Sequence, residues 1–245
     1  MSAPRLALLF GINNYPGSAN DLNGCLNDVD NIEAKIKKHY PDFYVRKFKD
    51  AEVTRSRFKA EVDAAISVLQ PGHVLLITYS GHGTQVVDRN REELDGYDEA
   101  LFLFDGPLID DDIHDSLSKI PEGATVVIAF DSCFSGTATR RFNGEVSRFH
   151  KMPGQKLRRK VRKALVSGVE SPWVHFSGCR EDQTSSDAFI NGEYQGAFTY
   201  YWLKTLTPGT TYKQWIERLN TYLPGGDFEQ EPMLEGRDLD RVIFC

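Results

Sequence analysis

Two stretches of this chain are apolar almost without a break, residues 73–78 and residues 124–130, and neither alternates between apolar and polar positions. Runs of that length and kind predict strands buried on both faces, as in a parallel sheet. Residues 6–12 predict a first strand, and residues 43–48, 100–104 and 173–177 predict shorter ones. Val29, Ile32 and Ile36 fall at helical spacing and predict a helix over residues 27–40. Thr54 is placed to cap a second helix carrying Phe58, Val62, Ile66 and Leu69. A short helix is expected over residues 111–117, amphipathic helices over 196–206 and 212–223, and a last strand over 241–244. Strands that alternate with helices imply an α/β fold, with a mostly parallel central sheet and helices on both faces.

Each of the two buried strands runs into a small polar turn. Tyr79-Ser80-Gly81-His82-Gly83 follows the first and Asp131-Ser132-Cys133-Phe134-Ser135-Gly136 the second, so that His82 and Cys133 lie 51 residues apart in sequence, both at carboxyl ends of strands. In an open α/β sheet that edge faces the crevice where catalytic groups gather. A thiol attacks a carbonyl as thiolate and needs a base beside it. An imidazole can take the thiol proton and later return it to a leaving amine. The glycines around His82 let the backbone turn and approach a substrate closely. The amides of Gly83 and Cys133 are candidate donors to an oxyanion. Alone, a cysteine after a strand is more often a small buried hydrophobe and a histidine is more often satisfied locally. The pair at neighbouring strand ends favours chemistry. No residue is assigned to orient His82.

Composition adds limits. With 245 residues, 40% apolar and 26% charged, the chain suits one sizeable soluble α/β domain, or two small ones. No apolar run approaches the roughly 20 residues of a membrane span. Cys25, Cys133, Cys179 and Cys245 show no metal-type spacing, so reduced thiols and a cytoplasmic setting are expected. The net charge of −6 hides an uneven distribution: residues 140–163 hold ten Lys/Arg and one acid, which leaves 19 basic and 34 acidic groups elsewhere. This basic arm, poor in large apolar residues, is expected to be an exposed loop. It divides a larger part, residues 1–139, from a smaller one, residues 166–245, with residues 140–165 as linker.

The motifs resemble one family in consistent order. Gly11-Ile12-Asn13-Asn14-Tyr15, Leu22-Asn23-Gly24-Cys25-Leu26-Asn27-Asp28-Val29, the His82 and Cys133 turns, Asp95-Gly96-Tyr97-Asp98-Glu99, Ile109-Asp110-Asp111-Asp112 and the stretch from Ser177 to Ser185 are similar to metacaspases and the bacterial orthocaspases. The resemblance implies a caspase-like fold and a cysteine endopeptidase, with His82 and Cys133 in the catalytic positions. It further implies cleavage after Arg or Lys. Asp131, two residues before the nucleophile, can line the same crevice, while Asp28 and Ser80 match the family's other specificity positions. A cationic side chain in a partly dry pocket needs such carboxylate partners.

From these readings follow several expectations. Arg158, Arg159 and Lys160 make the arm a candidate internal substrate, cut by the enzyme itself; a solvated or nucleic-acid-binding segment is the blander alternative. Asp98, Asp110 and Asp111 match calcium ligands of the family's calcium-activated members, within a stretch from Asp88 to Asp115 holding eleven acids and two arginines. Arg140 stands where the family has a fourth carboxylate, which opposes a cation; an acidic loop steering basic substrates is the alternative. About five residues precede the first strand, so no prodomain is expected. Partners are expected to be protein or peptide substrates with Arg or Lys before the cut, with no nucleic acid and no membrane, and the chain is expected to be a monomer. The competing functions are a caspase-type peptidase preferring Asp, and an inactive caspase-like module that binds a partner through its acidic face.

Overall fold

The two long apolar runs become the middle of a six-stranded sheet. The computed structural model describes residues 4–87, 97–134, 146–152, 171–180, 183 and 185–245. In chain order its elements are β1 (Arg5–Gly11), α1 (Cys25–His39), β2 (Phe43–Lys49), α2 (Arg55–Ser67), β3 (Val74–Ser80), β4 (Gly83–Val87), β5 (Tyr97–Leu103), β6 (Gly106–Ile109), α3 (Asp110–Leu117), β7 (Thr125–Asp131), β8 (Val146–Ser147), β9 (Val174–Ser177), β10 (Ser186–Ile190), β11 (Glu193–Gly196), α4 (Ala197–Thr205), α5 (Tyr212–Leu219) and β12 (Met233–Glu235). The main sheet has the order β12-β9-β7-β3-β1-β2. All its pairs are parallel except β12 with β9.

Strand alternation divides the core into two layers. Leu8 and Phe10 of β1 face Phe58, Val62 and Ile66 of α2 and Ile113 and Leu117 of α3. Ala7 and Leu9 face Val29, Ile32 and Ile36 of α1, Trp202 of α4 and Trp215 of α5. Trp202 and Trp215 stack with ring centroids 4.4 Å apart. Both layers are filled by buried side chains, which accounts for β3 and β7 being buried at every position. Thr54 caps α2 as its sequence predicts, its hydroxyl accepting from the Arg57 amide.

Three expectations fail locally. Residues 241–244 form no strand: Val242 makes an isolated bridge to Thr211, while Ile243 and Phe244 are wholly buried against α5 and its neighbours. Their apolar pattern reflects core filling, and the edge strand is β12 instead. The helix expected to reach residue 223 stops at Leu219, five residues before Pro224, whose ring disfavours helical backbone at the residue before it. The basic arm is not simply an exposed loop: Val146 and Ser147 pair with β10, and Arg148 is fully buried.

Candidate active site

Because β3 and β7 are adjacent and in register, with Ser80 beside Asp131, the turns after them are brought together. A Cβ on Gly83 would lie 2.1 Å from the carbonyl oxygen of Cys133, so the His82 turn rests directly on the Cys133 turn and only glycine fits there. The two turns also meet at one atom of a third segment. The carbonyl oxygen of Arg148 accepts the Gly83 amide at 2.8 Å and the Cys133 amide at 3.3 Å. Those are the two donors expected of an oxyanion hole.

His82 is held from two sides. Its backbone amide donates to the Tyr15 hydroxyl at 2.8 Å, and its Nε2 lies 2.7 Å from the Asn20 carbonyl oxygen. A carbonyl can only accept, so Nε2 carries the proton and Nδ1 is left with its lone pair. Nδ1 is buried without a hydrogen bond of good geometry, and the Asn20 and Arg148 carbonyls act on the ring against the effect of burial. Burial pulls the imidazole pKa down to about 4, so the ring is neutral at physiological pH and its free nitrogen is a base. The sulfur of Cys133 accepts the Ser185 amide and lies 3.4 Å from the Ser185 carbonyl oxygen. The orienting group is thus a main-chain carbonyl, which no side-chain motif could disclose.

Behind the Gly83 and Cys133 amides lies a buried cluster of charges. The Arg148 guanidinium donates through Nη2 to Asp28 Oδ2 at 2.8 Å and Asp187 Oδ1 at 3.0 Å. Through Nη1 it donates to Ser80 Oγ at 2.7 Å and lies 3.1 Å from Asp131 Oδ2. All four acidic and basic side chains are at most 2% exposed. Three carboxylates around one cation would repel one another without further donors. Two helix starts supply them. Asp187 takes the amides of Asn23 and Gly24 at the head of α1, and Asp131 takes the amide and hydroxyl of Thr199 in the first turn of α4. Asp28 takes the Gly196 amide at 2.9 Å. Burial, only partly offset by Arg148, raises the Asp28 pKa to about 6. Burial alone would lower the Arg148 pKa, but Asp131 and the other acids outweigh it and hold the group well above its usual range.

The expected residues His82, Cys133, Gly83, Asp28, Ser80 and Asp131 therefore converge on one segment. Asp187, Arg148, Ser185 and the Asn20 carbonyl were not anticipated. Asp187 had a legible signal: the Asn191-Gly192 pair, with φ of 53° and 92°, closes the β10–β11 hairpin that presents it. Asp98 lies on β5 and Asp110 and Asp111 open α3, but no group of three or more His, Cys, Asp or Glu side chains able to hold a metal occurs among the described residues. Arg140, Arg158, Arg159 and Lys160 lie outside the described residues. Cys25 and Cys179 are both buried; Cys179 has its pKa raised by a hydrogen bond with Cys133 and by burial. Among the described residues no helix is long and apolar enough to cross a membrane.

A cysteine and a neutral histidine in the turns of two adjacent parallel strands, with the Gly83 and Cys133 amides on one carbonyl, fit a cysteine peptidase of caspase type. The comparisons agree: residues 4–244 match the model described as "Caspase domain", and the chain belongs to that family. It is 30% identical to Metacaspase-1 of Candida glabrata over 96% of this chain and 73% of that protein. With Metacaspase-1 of Saccharomyces cerevisiae it shares 29% identity over 94% of this chain and 66% of the relative. Protein GSU0716 of Geobacter sulfurreducens superposes with a TM-score of 0.76 at 27% identity, covering 98% of both chains. Caspase-1 of Spodoptera frugiperda shares the fold, with a TM-score of 0.67 at 14% identity over 98% of this chain and 89% of the other.

Proposed function

We propose that this cysteine peptidase hydrolyses peptide bonds that follow arginine, and less readily lysine, and that its own Arg148–Phe149 bond is one of them. The observation that carries this reading is Arg148 itself, with its guanidinium among three aspartates and its carbonyl on the amides of Gly83 and Cys133. The segment also lies along the enzyme as a substrate strand. Its Arg148 amide donates to the Ser185 carbonyl at 3.1 Å, and Ser147 pairs with Ser186 of β10.

In the reaction, the Cys133 proton passes to His82 Nδ1 and the sulfur bonds to the carbonyl carbon of the arginine. The negative oxygen is held by the Gly83 and Cys133 amides. The C–N bond then breaks and the departing amine takes the proton from His82, leaving a thioester. Water, deprotonated by the same imidazole, hydrolyses the thioester and frees the arginine carboxylate.

A planar fork suits this pocket better than an ammonium. Nη1 addresses Asp131 while Nη2 addresses Asp28 and Asp187, whereas a lysine nitrogen is a single point at the end of its chain. An aspartate side chain would meet three carboxylates, which argues against the caspase-type preference. Calcium activation is proposed from the family resemblance alone. It is tested by activity in excess calcium against chelator. The specificity is tested with fluorogenic peptides bearing Arg, Lys or Asp before the reporter, on wild type and Cys133→Ala. Arginine turnover at least tenfold above lysine is expected, with none for aspartate and none by the variant. A preference for aspartate overturns the reading.

A further inference from the structure

Past Arg148 the segment continues into contacts that the arginine pocket does not explain. His150 is clamped by its backbone: its amide donates to the Gly83 carbonyl at 2.8 Å, and its carbonyl accepts from the Thr84 hydroxyl at 2.8 Å. Its imidazole lies flat on the Phe102 ring, with centroids 3.8 Å apart and planes 16° from parallel. Phe102 is itself fixed. Its amide donates to the His82 carbonyl at 2.8 Å, and its carbonyl accepts from the Tyr79 hydroxyl at 2.8 Å. On another side its ring stacks with Tyr15 at 5.7 Å.

If Arg148–Phe149 lies where a substrate's cut bond lies, the reading on which this inference rests, then His150 occupies the second position after the cut. We propose that Thr84, the Gly83 carbonyl and the Phe102 ring form a leaving-side subsite that selects a flat, uncharged ring at that position of a peptide substrate. Two backbone hydrogen bonds fix the register, and they serve any residue. Discrimination comes from the Phe102 face, whose stacking partner must be planar. The His82 ring stands 6.1 Å from His150, so a positive charge here would lie close to the catalytic imidazole and disfavour its proton uptake. Half-buried His150 has its own pKa lowered by that burial, consistent with a neutral occupant.

The test uses internally quenched peptides spanning the cut, identical except for His, Phe, Leu, Ala or Lys at the second residue after arginine. They are assayed on the full-length protein. Every peptide competes with the same internal segment, so the ratio of kcat/KM values cancels its occupancy. The His and Phe peptides are expected to exceed the Leu, Ala and Lys peptides by about three- to tenfold, the range an aromatic pair contributes. In Phe102→Leu that ratio should fall below about two; taking it within one variant cancels any general loss. An arginine peptide whose reporter directly follows the cut lacks this position altogether. If that peptide is not turned over, the functional reading fails. If it is turned over while wild type treats all five spanning peptides alike, or prefers Leu or Lys, the subsite is refuted, whether or not the variant folds.

Discussion

At the residue scale, the proposed specificity rests on charges buried in unequal number. Three aspartates and one arginine leave an excess of negative charge that main-chain donors at two helix starts make tolerable. Removing one buried partner strands the rest, so Asp28→Asn and Asp187→Asn are each expected to lower kcat/KM for an arginine peptide at least a hundredfold, with less effect on a lysine peptide for Asp187→Asn. Peptide kinetics on both variants check this. The pH dependence follows from Asp28. Its carboxyl, raised to about 6 chiefly by burial, must be ionised to hold the cation. Activity therefore falls as pH drops through about 6. His82, with its pKa near 4, stays a free base across that window and cannot cause the loss. A pH–rate profile of Asp28→Asn should lack this limb, and an unchanged limb would assign it elsewhere.

At the element scale, the sheet edge does the positioning. The unbroken apolar runs of β1, β3 and β7, the helical spacing in α1 and the Thr54 cap were legible because each is a local preference that the core then satisfies. Thr54→Ala should cost about 1 kcal/mol, measured by chemical denaturation. What stayed hidden was non-local. Arg148 looked like one more charge in a basic loop, because nothing within its own segment reveals three aspartates drawn from α1, β7 and β10. Asp187 was within reach through its Asn-Gly hairpin. The Asn20 carbonyl was not, since a backbone acceptor leaves no mark on residue type. Close approach also sets demands on α4: a Cβ on Gly196 would stand 2.0 Å from Asp131 Oδ2 and 2.6 Å from Arg148 Nη1. Gly196→Ala should therefore cut arginine-peptide turnover more than tenfold while leaving the circular dichroism spectrum of the fold intact.

At the scale of the whole molecule, the two halves of the chain are joined through the site. The larger part supplies His82, Cys133, Asp28 and Asp131, the smaller part supplies Ser185 and Asp187, and the segment around Arg148 lies between them. On the proposed reading, cutting or displacing this segment would open the crevice to other proteins, which would link self-processing to activity toward them. Arg148→Gln would leave the carboxylates without their cation, and self-cleavage at this bond should disappear with it. The most direct measurement is the amino-terminal sequence of fragments from purified wild-type protein, compared with Cys133→Ala under the same incubation. The account predicts a new terminus at Phe149 in the wild type and an intact chain in the variant. A terminus after Arg158, Arg159 or Lys160 instead, or the same fragments from Cys133→Ala, would contradict it.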